Sequence, residues 1–259
     1  GVPRSNAEIV AHSLLAANLR GVDTHGVTRL PIYVERLRAG LISGAAVGAI
    51  LSESETTAAI DGQNGLGQVV GTRGMQIAIA KAESAGIGLT TVKNSNHYAK
   101  KGEPIPATWA ITKEGEPTTN AKEALEGALL PLGGHKGFGL AMAIEILSSV
   151  LAGGPFGPHI GELYNNPTRP QEVAHFFGAV RVDRFRPVRE FKADMDAMIR
   201  DVKSQPLGKG FEKIMVAGEP EYLTEQERRE KGVPLSDAVV SDLTKLGASV
   251  GVSFEDYAR

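Results

Sequence analysis

Gly21-Val-Asp-Thr-His25-Gly-Val-Thr-Arg29-Leu-Pro-Ile-Tyr33-Val-Glu-Arg36 sets a histidine, an arginine and a tyrosine at steps of four. Four helical residues advance about 400°, so each partner is rotated only about 40° from the last. A base, a planar cation and a phenol would then share a face. That set suits a small carboxylate ligand with a reacting oxygen or nitrogen beside it. Arginine grips a carboxylate with two parallel hydrogen bonds, and histidine moves a proton near neutral pH. Pro31 is costly inside a helix but tolerated at its first position. The helix is therefore expected over 31–38, entered at Arg29 or Leu30 and stopped by Gly40. His25 and Arg29 then lie on the turn leading in, where binding residues often sit. The blander alternative is a surface arginine and a hydrogen-bonded histidine near a helix start.

On the N-terminal side, Ser5-Asn-Ala-Glu8 has the form of a capping box. Ile9, Val10, Leu14, Leu15 and Leu19 follow at helical spacing, and Gly21 closes that helix. His12 reads as a surface or packing histidine. On the C-terminal side, a polar link at 52–56 leads to a strand over 56–60 ending at Asp61-Gly62. Gly65-Leu-Gly67-Gln-Val-Val-Gly71 then imitates a dinucleotide fingerprint. Its spacing is one residue too long for GxGxxG, and the acidic residue expected after the next strand is missing. Glycines that let a helix start tightly after a strand are the preferred reading. That helix, 68–84, should carry Val69, Val70, Met75, Ile77 and Ala80 inward. A strand over 87–92 delivers Lys93-Asn-Ser-Asn-His97-Tyr98, a polar cluster past a strand end, where ligands bind in α/β sheets. His97 is the second acid–base candidate; its alternative is a loop histidine tied to Asn94 and Asn96.

After Ala99 the chain turns to loop chemistry. Leu132-Gly-Gly134-His-Lys136-Gly137-Phe-Gly139 then precedes an apolar helix reaching residue 151. Glycines ahead of a helix N-terminus, with a lysine among them, form a natural anion pocket. The pattern is not GxxxxGK[ST], so no Walker-type hydrolysis is implied. A glycine-lined turn for close packing is the alternative. Further on, a loop is expected at 153–158, a strand at 176–182, a helix at 187–202 and a short strand at 213–217 ending at Gly218-Glu219-Pro220. A charge-laced helix at 224–231 and a last helix at 236–246 follow.

The chain has 259 residues, room for one large domain or two small ones, and a net charge of −2, which gives no footprint for nucleic acid or a membrane surface. It has no cysteine, which excludes disulfides, zinc ribbons, iron–sulfur clusters and thiol nucleophiles. The six histidines form no HxxxH or HxH pair, so a protein metal cage is not expected. The longest mostly apolar run, 138–152, contains Glu145 and is too short to span a bilayer. A cytoplasmic location is expected from the missing cysteines and the absence of a secretory signal. A start at Gly1 rather than Met suggests that the true N-terminus is missing.

Taken together, six pieces in order resemble the type 2 malate/L-lactate dehydrogenase family, which also contains sulfolactate, ureidoglycolate and cyclic imino-acid oxidoreductases. They are the segment from Gly21 to Tyr33, Asp61-Gly-x-x-Gly-x-Gly67, Asn94-Ser-Asn-His97-Tyr98, Ile105-Pro-x-x-Trp109-Ala, Leu132-Gly-Gly-x-Lys136-Gly-Phe-Gly-Leu140 and Gly218-Glu-Pro-Glu221. The resemblance implies a mixed α/β fold that is not a Rossmann fold. A mixed-sheet cofactor part over 61–220 would join a helical substrate and dimerisation part built from 1–60 and 221–259. It implies a homodimer using NAD or NADP on a small 2-oxo or 2-hydroxy acid. His25 would exchange the proton with the substrate, Thr24 would be its relay partner, Arg29 would hold the carboxylate and Tyr33 would shape the pocket. His97 would lie between substrate and cofactor. Lys136 with Gly134 and Gly137 would approach the dinucleotide, and Gly218 and Glu219 would lie near it. Thr24 replaces the serine usual in the family, keeping the hydroxyl but adding a stiff methyl.

One departure is larger. The family continues after its Asn-Ser-Asn-His corner with a long stretch that holds much of the cofactor part and an aspartate of the relay. Here Ala99 is followed at once by Lys100-Lys101-Gly102. Either the numbering passes over residues of a longer polypeptide, or the polypeptide lacks them. The first is expected, because a true deletion would leave unpaired edges and an exposed core. The alternatives to a hydroxy-acid dehydrogenase are a cyclic 2-imino acid reductase and, for a true deletion, a non-catalytic binding homologue.

Overall fold

In the computed structural model, which describes residues 1–96, 105–161 and 168–253, helix α1 (Arg4–Leu19) leads into two 3-10 turns, Asp23–His25 and Val27–Arg29. Helix α2 (Leu30–Arg38) follows, with Pro31 in its first turn as the proline rule requires. The middle of the chain supplies β1 (Ala49–Glu53), β2 (Thr57–Leu66), α3 (Gly67–Ala85) and β3 (Ile87–Asn96). Next come β4 (Ala110–Ile111), α4 (Ala121–Glu126), β5 (Ala128–Leu129) and α5 (His135–Glu145), which a π-helical turn extends over Ile146–Val150. Strand β6 (Val173–Val180) and helices α6 (Val188–Lys203), α7 (Glu219–Lys231) and α8 (Asp237–Ala248) complete the order.

The main sheet runs β1-β2-β3-β6. Strands β2 and β3 are parallel, with α3 as their crossover, while β1 and β6 pair antiparallel at the two sides. The expected mixed sheet is therefore present. Strands β4 and β5 form a separate two-stranded ladder.

Helix α3 holds the layers together. Val69 enters one core with Val10, Leu14, Tyr33, Ile42 and Leu66, and Val70 enters another with Ile60 and Val92. Adjacent helical residues point about 100° apart, so one helix serves both cores. Small residues let it sit close. A Cβ on Gly74 would come within 2.9 Å of Val92 and 3.0 Å of Phe177, and one on Gly88 would lie 1.9 Å from the Ala78 carbonyl oxygen. Gly65 and Gly71 face Val70 and Phe177 in the same way. At Gly65 and Gly71 the imitation fingerprint thus serves helix packing.

Several expectations change. Helix α1 begins at Arg4 behind Pro3 with no side-chain cap, so the capping box is not formed, and Glu8 pairs with Arg4 at 2.8 Å instead. Residues 213–217 form no strand. Ala80 is exposed, whereas Ala78 and Ala82 face inward. Strand β1 falls partly in the stretch read as a polar link, because one face of an edge strand tolerates Ser52 and Glu53. Strands β2 and β3 both run past their expected ends through a shared irregularity at 61–65 and 92–95.

Helices α7 and α8 return to the start of the chain, packing on α1 and α2. In contrast, α5 and its approach leave Leu129, Leu132, Phe138, Leu140 and Ile144 more than half exposed in the single chain. Among the described residues no helix is long and apolar enough to cross a membrane. Replacing Gly88 by alanine is expected to force α3 off β3 and to lower stability by about 1–3 kcal/mol, measured by urea unfolding.

Candidate functional site

The site begins at the 3-10 turn Asp23–His25, which the His25 amide closes onto the Val22 carbonyl at 2.9 Å. Thr24 Oγ1 lies 3.0 Å from His25 Nδ1, so the hydroxyl fixes one side of the ring. Arg29, at the end of the second turn, is only 2% exposed, and its Nε donates to the Thr24 carbonyl at 2.5 Å. Burial, and then the Arg29 charge, hold the His25 imidazole below its ordinary 6.5. Tyr33 is 3% exposed, and burial pushes its phenol up although Gln68 and Arg29 oppose this. The three residues thus converge, though on two short turns and a helix start rather than on one continuous helical face.

Gln68, in the first turn of α3, donates to the Tyr33 hydroxyl at 3.1 Å. It also lines a cleft of about 850 Å³ with Ser5, His12, Thr72, His175 and Phe177. Leu66, two residues earlier, is the register partner of Asn96, the last residue of β3. The end of β3 therefore arrives beside the start of α3, which in turn touches Tyr33. His97 and Tyr98 lie outside the described residues.

The corner before them is strained in an informative way. Gln63, Asn64 and Asn94 each take positive φ near 55° without being glycine. Asn94 Nδ2 donates to Asp61 Oδ1 at 3.0 Å, and the same oxygen accepts the Gln63 amide at 2.8 Å. A Cβ on Gly62 would stand 2.7 Å from the Lys93 carbonyl oxygen, so the Asp-Gly pair lets the two bulged strands pass closely. Ser95 is fully buried, donates to the Val173 carbonyl at 3.0 Å and contacts His175 Nε2 at 2.7 Å. With the serine proton spent on Val173, His175 donates to the serine oxygen. Sequence reasoning missed this histidine, because only the β3–β6 register brings it to the corner.

The candidate cofactor residues stand elsewhere in the single chain. Gly133 and Gly134 take positive φ, and α5 starts directly behind Gly134. A Cβ on Gly137 would overlap the Leu132 carbonyl, so the loop folds back tightly over the helix start and leaves Lys136 exposed. The elements packed most closely on the His25 turn are α1 and the second 3-10 turn, and α5 is not among them. Gly218 takes φ +86° and starts α7. Lys203 donates to one Glu219 oxygen at 2.5 Å, and the Val216 amide donates to the other at 3.2 Å. That lysine holds the Glu219 carboxyl below the usual carboxylate range. Among the described residues no group of three or more histidines, cysteines or carboxylates is arranged to hold a metal.

A family model described as malate/L-lactate dehydrogenase matches residues 1–100 and 97–244, two blocks that overlap over 97–100. The chain is 32% identical to malate dehydrogenase of Pyrococcus abyssi over 330 residues, covering 97% of this chain and 90% of the relative. It is 29% identical to L-sulfolactate dehydrogenase of Methanocaldococcus jannaschii, covering 99% and 94%. The structure of malate dehydrogenase from Pyrococcus horikoshii superposes with a TM-score of 0.87 at 33% identity, covering 98% and 91%. More distant matches are an Escherichia coli ureidoglycolate dehydrogenase (NAD(+)), 22% identical over 310 residues, and a Pseudomonas putida pyrroline/piperideine-2-carboxylate reductase, 25% identical over 228 residues. The match to the Pyrococcus abyssi enzyme spans 330 positions, more than the 259 residues of this chain.

The burial of His25 beside Arg29 has a direct consequence. Its imidazole is expected to titrate below pH 6.5 in an NMR titration, with a His25→Asn variant identifying the resonance.

Proposed function

The chain belongs to the malate/L-lactate dehydrogenase family, and on that footing we propose that it interconverts a small 2-hydroxy acid and its 2-oxo acid with a nicotinamide cofactor. The observation that carries this reading is the bonded Thr24–His25 pair beside the buried Arg29.

When bound, the nicotinamide supplies or accepts the hydride at substrate C2. The protein does the rest. Arg29 receives the substrate carboxylate, which orients C2 and neutralises the acid. Tyr33, held by Gln68, shapes the wall. Thr24 engages Nδ1, so the substrate proton is assigned to His25 Nε2. In reduction the imidazolium gives that proton to the oxo oxygen, and in oxidation the neutral ring takes it from the hydroxyl. Because His25 is held below 6.5, the neutral base dominates at pH 7. Oxidation should rise as pH climbs through that lowered midpoint, and reduction should fall over the same range.

The donor set at the start of α5 suits a dinucleotide. Unsatisfied backbone N–H groups, the glycines around Gly134 and Gly137 and the Lys136 ammonium would hold its phosphates. Gly218 and Glu219 at the start of α7 are assigned to the same part. His97 is assigned between substrate and cofactor, which the arrival of β3 beside α3 supports. NAD and NADP are both retained, because the residue that reads the ribose is assigned to the stretch this chain lacks. We place that stretch between residues 99 and 101, where the two family blocks overlap. The division into a helical part, 1–60 with 221–259, and a cofactor part, 61–220, is kept as part of the same proposal, with the correction that β1 and the start of β2 put one edge of the sheet in the first part. The uncovered apolar side chains on α5 and its approach support a homodimer, since monomers seldom expose such patches. A cytoplasmic location is part of the same reading.

Pyruvate, oxaloacetate and a cyclic 2-imino acid, each tried with NADH and NADPH, test the reading by nicotinamide absorbance. Oxaloacetate or pyruvate should turn over best; preference for the imine would move the assignment to a reductase. Absence of turnover by the intact chain would reject both and favour a non-catalytic homologue. His25→Asn should lower kcat about 10²–10⁴-fold and abolish the pH inflection. Arg29→Lys should raise KM for the oxo acid about tenfold with a smaller effect on kcat. Light scattering should give twice the chain mass, and the double variant L132D/F138D should return it to a monomer.

A further inference from the structure

Helix α7 reaches back 205 positions to the His25 turn. Arg228 donates from Nη1 to Asp23 Oδ1 at 2.7 Å and from Nη2 to Asp23 Oδ2 at 2.9 Å, a two-point grip on one carboxylate. Nη1 also donates to the Asn18 carbonyl at 2.5 Å. Asn18 is 2% exposed and spans the turn, giving its Nδ2 to Asp23 Oδ1 at 2.7 Å and accepting the Val27 amide on its Oδ1 at 2.8 Å. The backbone is therefore held two residues before His25 and two residues after it. A Cβ on Gly26 would come within 2.2 Å of Asn18 Oδ1, so the turn rests directly on that amide.

We propose that Arg228 is a positioning residue for His25: through Asp23 and Asn18 it fixes the turn that presents the imidazole. Residues near the two ends of the chain thus set one side chain. The grip stabilises the whole fold little. Asp23 is half-exposed, and an ion pair so placed is weak on its own. Its effect is orientation: the fork fixes direction as well as distance, and a lysine at 228 would keep the charge but lose the direction. Thr224, one turn earlier on α7, packs against Gly21, and Glu225 pairs with Arg20 at 3.1 Å, so the helix is itself seated where the fork needs it.

The test compares Arg228→Gln and Arg228→Lys with the wild type in the full chain. The kinetic arm rests on the dehydrogenase reading and uses oxaloacetate with NADH and NADPH; the NMR arm does not depend on it. Arg228→Gln should leave circular dichroism unchanged and lower kcat about tenfold, with KM changed less. It should also raise the His25 midpoint by about half a pH unit, because the loosened ring is better solvated and the Asp23 charge is no longer neutralised. Arg228→Lys, which keeps that charge, should restore the midpoint more fully than kcat. A Gln variant with altered melting temperature but unchanged His25 midpoint and unchanged kcat would reduce Arg228 to a structural brace and overturn the proposal. A wild type without turnover would count against the dehydrogenase reading alone, since the His25 resonance still reports whether Arg228 holds the turn.

Discussion

The close approach of α3 to the β3–β6 pair is the constraint from which the site inherits its geometry. Gly74 and Gly88 remove the side chains that would hold the layers apart; Val92 and Phe177 fill the space at Gly74, and the Ala78 backbone lies against Gly88. With the helix seated, its first turn stands directly after Leu66, beside the end of β3. Gln68 then meets Tyr33, and Tyr33 anchors α2 in the first core. The turn bearing Thr24, His25 and Arg29 is attached to α2. A packing seam that imitates a nucleotide fingerprint therefore acts on the chemistry at a distance, by setting where the acid–base turn stands.

From the other side the same turn is closed by polar contacts. The Asn18 amide, the Asp23 carboxylate and the Arg228 guanidinium form one connected set. Burial supplies little of this order, since Asp23 remains half-exposed. Directional hydrogen bonds supply it, and their directions depend on α7 lying across α1. Apolar packing on the sheet side and fork geometry on the helical side thus meet at His25. Burial there disfavours the imidazolium, and the neighbouring Arg29 charge adds to the effect.

The cofactor side is differently built. Helix α5 carries apolar residues around much of its circumference, and most remain uncovered in the single chain. A helix apolar on several faces belongs in an interior. The match to the Pyrococcus abyssi relative spans 330 positions against 259 residues here, and the two family blocks join just after the Asn-Ser-Asn-His corner, over 97–100. Of the residues given to the dinucleotide, Gly134, Lys136 and Gly137 stand on this uncovered side, whereas Gly218 and Glu219 start α7, the helix that reaches the His25 turn.

The local features were legible in the residues themselves. Pro31 and Gly40 bounded α2, the long spacing of Gly65, Gly67 and Gly71 argued for packing rather than phosphate, and the order of six short motifs indicated a mixed α/β dehydrogenase fold. These depend on dihedral preference and near-neighbour sterics, which a sequence carries in itself. The failures were also local. A short apolar run at 213–217 pairs with no strand among the described residues, and Ser5 could not cap a helix that Pro3 had already opened. What no spacing rule contains is who meets whom across the fold. Asp23 finds Arg228 only when α7 lies on α1, and Ser95 finds His175 only through the β3–β6 register. Such contacts arise from the packing of whole elements, so the sequence determined the candidate chemical groups and the tertiary structure alone decided which of them act together.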